Sequence, residues 1–190
     1  MADFKPCFEK VMALEGGYKI TNDLVDRGGM TYAGISRTRH PAWPGWAKID
    51  RKEFDDELNG MVEVFYKIEF WDKFQGDVIG SQSVAYNLYE FGINAGIQMS
   101  IKLCQKIIGV AVDGIFGPAS MKALNKFAAG EKDEKIFVLS FSLLKVLRYN
   151  HITLNDPRRE HDLLVSNQKF ICGWLNRVAA GLEHWGLRYP

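Results

Sequence analysis

Glu15 is a carboxylate on the apolar side of a helix. From Phe4 the residues Phe8, Val11, Met12 and Leu14 follow helical spacing, and Gly16-Gly17 stop the pattern where a helix C-cap belongs, so the spacing predicts a helix over residues 4–15. At about 100° per residue, Glu15 projects between Phe8 and Val11 and close to Phe4, in the middle of the apolar stripe, while Glu9 lies on the opposite face. Burial disfavours the charged form of a carboxyl group and raises its pKa, and the negative end of the helix dipole pushes the same way. A general acid that must hold a proton near neutral pH and deliver it to a leaving oxygen needs this setting. Periodicity also admits a structural reading, in which the carboxylate pairs with a basic residue or accepts backbone hydrogen bonds in the core.

The elements that must position this group are mostly helices. Residues 16–50 lack a sustained helical period and carry Gly28-Gly29, Gly34, Pro41, Pro44 and Gly45, which suggests turns around short extended pieces such as 30–32. Asp50 is placed to cap a helix over 51–69, with Phe54, Leu58, Met61, Val62, Phe65 and Ile68 at three- and four-residue steps. Ser81 or Ser83 starts another helix to Ala95; Gly96 separates it from a helix over 99–108. Asp113-Gly114 and Gly117-Pro118 flank a turn, followed by helices over 120–128, 134–150 and 162–182. The predicted fold is mainly α, a helical domain with an irregular or β-hairpin segment near residues 20–36.

Composition narrows the function classes. The 190 residues suit one domain or one domain with a closely packed lobe, and 47% hydrophobic content marks a folded globular chain. The aromatic content of 13% suits sugar-stacking surfaces and an ordinary core alike. A net charge of +1 with scattered basic residues leaves nucleic-acid binding unsupported. Cys7, Cys104 and Cys172, odd in number and widely spaced, make neither a disulfide framework nor a metal-ligand pattern, and read as buried small apolar residues. The N-terminus shows no basic patch followed by an apolar stretch, and no segment approaches bilayer-spanning length. The expectation is synthesis in the cytoplasm without a signal peptide; action on a cell wall would then need another component to carry the chain across the membrane or open it.

Leu14-Glu15-Gly16-Gly17-Tyr18, followed by Asp26-Arg27-Gly28-Gly29-Met30-Thr31-Tyr32-Ala33-Gly34-Ile35-Ser36, resembles the signature of the glycoside hydrolase family 108 muramidases. That family joins a glutamate in an E-G-G-Y motif to a D-x-G-G-x-T-x-x-G-I-[TS] motif. The order Glu, Asp, Thr and Gly-Ile also resembles, more distantly, the active-site segment of phage-type lysozymes. The resemblance places the catalytic glutamate at Glu15, the loop aspartate at Asp26 and the loop threonine at Thr31. Asp23 competes with Asp26, which can instead hold its turn through an Asx-type hydrogen bond. An ionised Asp26 beside the anomeric carbon would stabilise positive charge or activate a water held by Thr31, giving inversion; a closer carboxylate pair would give retention. Gly28, Gly29 and Gly34 are read as conformational.

The resemblance continues through Tyr66-Lys67-Ile68-Glu69-Phe70-Trp71-Asp72, the Asn94-Ala95-Gly96 segment, the Asp113–Ser120 turn and Gly173-Trp174-Leu175-Asn176-Arg177. It implies substrate contacts at Tyr18, Tyr66, Trp71 and Asn94, although Tyr66 and Trp71 taken singly read more readily as core and Asn94 can equally be a helix cap. Arg177 is a reasonable partner for a buried carboxylate, Glu15 included, and a close guanidinium would lower that carboxyl's pKa. The implied protein is a lysozyme-like peptidoglycan hydrolase, with a catalytic region over 1–95 and a peptidoglycan-binding-like helical region over 96–190 packed on it as one compact unit. Its partners would be glycan strands and a holin or secretion apparatus, with no metal or organic cofactor, and it would act in the periplasm or cell wall. Members of this family are also labelled secretion activators, so a cell-wall-binding protein with a retained muramidase fold is the alternative. Chitin is a third substrate reading.

Overall fold

The computed structural model describes residues 1–14, 16–22, 29–155 and 171–182. Among these are eight α-helices and one three-stranded sheet, a mainly α architecture. Backbone contacts gather the chain into two units, residues 3–73 and residues 1–2 with 74–190.

The first unit begins with α1 (Phe4–Leu14), which buries Phe4, Cys7, Phe8, Val11 and Met12 along one stripe, the face its periodicity foretells. The Gly17 N–H donates to the Met12 carbonyl at 2.9 Å, and Gly16 has φ +85°, a backbone region closed to most side chains. The strands β1 (Ile20–Asn22), β2 (Met30–Tyr32) and β3 (Ile35–Ser36) follow, antiparallel and paired in chain order. Ala33 and Gly34, both at positive φ, make the two-residue turn between β2 and β3 that matches the natural twist of a hairpin.

A short helix, α2 (Gly45–Asp50), occupies a stretch the sequence reads as loop. Pro44 and Gly45 discourage a helix interior but are tolerated at its entrance, and Trp46 and Ile49 supply the buried face. Asp50 is the last residue of α2 rather than a cap for the next helix; its carboxylate accepts two hydrogen bonds from the Arg37 guanidinium at 2.7 and 2.8 Å. The cap of α3 (Asp56–Tyr66) is Asp55, whose Oδ1 accepts from the Leu58 N–H at 2.9 Å.

Along α3 the buried residues Leu58, Val62 and Tyr66 step by four, but the next fully buried residue is Trp71, five further on. Lys67–Trp71 forms a π-helical turn in which the Asp72 N–H donates to the Lys67 carbonyl. The extra residue rotates Trp71 inward, where a regular helix would carry position 70, and its ring meets Phe4 edge-on at 5.6 Å.

The second unit holds α4 (Gln82–Ala95), α5 (Ile97–Ile108), α6 (Pro118–Phe127), α7 (Glu131–Leu154) and α8 (Ile171–Leu182). Of the two candidate serines, Ser81 caps α4, its Oγ accepting from the Val84 N–H at 3.1 Å. Every residue from Ser83 to Gly92 is buried, because α5, α7 and α8 all pack on α4. A helix buried on every side belongs at the centre of a domain. Gly96, at φ +91°, makes the break between α4 and α5. The helix α7 extends beyond the expected 134–150 at both ends. Among the described residues no helix is long and apolar enough to cross a membrane.

Candidate active site

Glu15 and Asp26 lie outside the described residues, as do Asp23 and Gly28. The structure describes what brackets them. Position 15 follows the last residue of α1 and precedes the left-handed Gly16, and the returning chain is pinned by the Lys19 N–H donating to the Gly17 carbonyl at 3.0 Å. The Ala33 N–H then donates to the Lys19 carbonyl at 3.0 Å, tying this exit from α1 to the β2–β3 turn.

Thr31 sits on β2, half-buried, directly opposite Thr21, and the two hydroxyls share a hydrogen bond. Its hydroxyl is thus oriented by a second hydroxyl and retains capacity for a further partner. The turn beyond it is held by Tyr66, whose hydroxyl donates to the Ala33 carbonyl at 2.9 Å. Gly29 has φ +60° and Gly34 φ +78°, the conformational duty expected of them.

Tyr18 is 42% exposed. Partial burial raises its hydroxyl pKa; nearby Lys5 opposes that rise, and Glu63 and Glu9 add to it. Lys5 Nζ lies 2.5 Å from Glu63 Oε2, and that hydrogen bond holds the lysine's pKa up. At neutral pH the site therefore has a neutral phenol that can donate and accept, beside an ion pair joining α1 to α3.

Tyr66 and Trp71 are both buried. Tyr66 is buried against Phe8, ring centres 5.7 Å apart, and Trp71 has no exposed surface, so neither presents a ring face to solvent. Asn94 is half-buried at the end of α4 in the second unit, where its amide nitrogen donates to the Tyr149 hydroxyl at 2.7 Å. Tyr149 in turn stacks on Trp174, ring centres 4.9 Å apart.

Sequence reasoning missed a buried carboxylate in the second unit. Glu90 on α4 is wholly enclosed, with Lys145 Nζ at 2.7 Å from Oε2 and Arg177 Nη1 at 3.7 Å from Oε1. Asn87 Oδ1 accepts from Lys145 at 3.3 Å, and the ammonium lies over the rings of Phe91 and Phe141. Arg177 therefore does face a buried carboxylate, and in the described residues that carboxylate is Glu90. The signal was present: a charged residue inside the apolar run Tyr86-Asn87-Leu88-Tyr89-Glu90-Phe91. Cys172, read from sequence as buried, is exposed on α8, while Cys7 and Cys104 are buried.

Comparison with known proteins divides the chain in two. Residues 8–96 match the family model described as Glycosyl hydrolase 108, and residues 99–179 match that described as Predicted Peptidoglycan domain. No curated protein matches the chain. A solved structure of Brucella abortus SagA is similar in fold, with a TM-score of 0.68 at 21% sequence identity over 98% of this chain and 96% of that one.

Proposed function

Because the chain belongs to the glycosyl hydrolase 108 family and joins that domain to a peptidoglycan domain, we propose that it is a muramidase. It cleaves the β-1,4 bond between N-acetylmuramic acid and N-acetylglucosamine in peptidoglycan strands, with Glu15 as general acid. The observation that carries this reading is the position of Glu15 in sequence, one residue beyond the end of α1 and one before the left-handed Gly16, within the family's own motif.

In this reading Glu15 protonates the glycosidic oxygen, Asp26 supplies negative charge for the cationic transition state or activates water, and the Thr31 hydroxyl, oriented by Thr21, holds that water. Tyr18 offers an exposed ring and a neutral hydroxyl to a sugar. Tyr66 and Trp71 act on substrate only through the scaffold they pack. The site of action is the cell wall, and a holin or a secretion apparatus is the proposed means of access.

The test compares wild type with Glu15→Gln on purified peptidoglycan and on chitin, identifying each new reducing end. The expected result is reducing muramic acid from wild type on peptidoglycan and a loss of about 10²-fold or more in the variant, the scale of a general acid's contribution. Equal product from both proteins removes Glu15 from the mechanism. Preferential cleavage of chitin removes the muramidase assignment.

A further inference from the structure

The outer face of α3 carries an apolar groove that the hydrolytic reading leaves unused. It has a volume of about 560 Å³, within the range of ligand sites, and all of its lining residues belong to the first unit. Met61, Val64, Phe65 and Ile68 form its floor along α3 and the π-helical turn, with Val64 57% and Ile68 51% exposed. Glu57, paired with Lys48 at 2.7 Å, and Glu69 also line it, twelve residues apart in sequence.

The π-helical turn builds the far end. Its extra residue sends Trp71 into the core and leaves Glu69 on the rim, half-buried and, among the described residues, without an ion-pair partner. Beyond Glu69 a smaller recess of about 360 Å³ adds Arg39 and His40. Trp43 lines both spaces but is only 8% exposed, and the half-buried Phe65 is the other aromatic ring in the lining. From Glu57 to Ile68 the floor runs eleven residues, about 16 Å, or three helical turns.

We propose that this groove binds an amphipathic α-helix of a partner protein, apolar face down, with a lysine or arginine at its end paired to Glu69. The length and apolar floor suit side chains repeating at i, i+3, i+4 and i+7, which is how helices dock in hydrophobic grooves. Glu69 supplies the charge complement, Glu57 being already paired with Lys48 at 2.7 Å, and this sets register and disfavours an acidic residue at that end. A Lys or Arg beside Glu69 would give that half-buried carboxylate the cation it lacks.

The probe is a fluorescein-labelled amphipathic peptide about four turns long, leucine on one face and lysine at both ends, followed by anisotropy. Wild type is expected to bind it saturably, and Val64→Asp about tenfold or more weaker with an unchanged circular dichroism spectrum. Glu69→Lys is expected to weaken the lysine-ended peptide and to strengthen a glutamate-ended version. Both variants are expected to hydrolyse peptidoglycan as wild type does, which separates the groove from the reading of the active site. The proposal is overturned by failure of the wild type to bind, by equal binding of a scrambled peptide, or by indifference to either substitution. A groove-dependent dimer in sedimentation or groove-dependent flotation with phosphatidylglycerol vesicles, each abolished by Val64→Asp, would assign the face to another occupant and also overturn it.

Discussion

A carboxyl group inside an apolar surface must be paired, neutralised or used, since an isolated buried charge is too costly to keep. Glu15 and Glu90 both meet that condition in the sequence, and only Glu15 is singled out there, because a motif surrounds it. Glu90 has the same local signal, but its meaning rests on Lys145 and Arg177, which arrive 55 and 87 residues later in the chain. The cysteines separate in the same way. Burial raises the Cys104 thiol to about 12, far above ambient pH, whereas Cys172 is exposed on α8. Since the thiolate is the reactive form, brief alkylation of the folded protein at pH 8 should label Cys172 alone, with Cys7 and Cys104 modified only after unfolding. Mass mapping of the labelled peptides checks this, and early labelling of Cys104 would contradict its enclosure.

At the level of elements, apolar spacing foretells the longer helices and misses α2, and the remaining errors lie at helix ends. Asp50 and Asp55 are both plausible caps by type; the choice fell to Asp55 because Trp46 and Ile49 bury α2 up to Asp50, and the chain must then turn before α3 can begin. The Leu58 N–H, and then Lys48, hold the Asp55 carboxyl below its ordinary value. A lowered folded-state pKa gives stability that is complete above the unfolded value near ~3.9 and is lost as pH falls through the folded one. Asp55→Asn keeps a neutral cap without that charge. Wild type should therefore melt above the variant at pH 7, and the gap should close as pH drops toward about 3. A gap that persists at low pH would show that Asp55 acts through something other than its charge. The π-helical turn has no counterpart in the apolar spacing, since Trp71 takes up a core position one residue later than a regular helix provides.

Across the molecule, the family models meet between residues 96 and 99, while backbone contacts group α4 with the helices after it. The reason is the set of interactions α4 makes: Glu90 with Lys145 of α7 and Arg177 of α8, and Asn87, whose amide donates to the Gly181 carbonyl at 3.4 Å. A methyl group on Gly181 would lie 2.6 Å from Asn87 Oδ1, so a larger residue there would displace the Asn87 amide. Lys145→Met should destabilise this unit by about 3–5 kcal/mol, because it leaves a buried carboxylate uncompensated. Adding Glu90→Gln should recover part of the loss, measured by urea denaturation; no recovery would show that the pair is not what Lys145 supports. The sequence by itself determined the helical class, the core stripe of α1, the short extended segments and the family motif. All of these are local patterns, in which a residue's neighbours in the chain are also its neighbours in space. Only the tertiary structure decided that Trp71 and Tyr66 are buried, that Arg177 faces Glu90, and that an apolar groove lies open along α3. Each depends on which distant side chains fill the space around a residue, and spacing along the chain does not encode that.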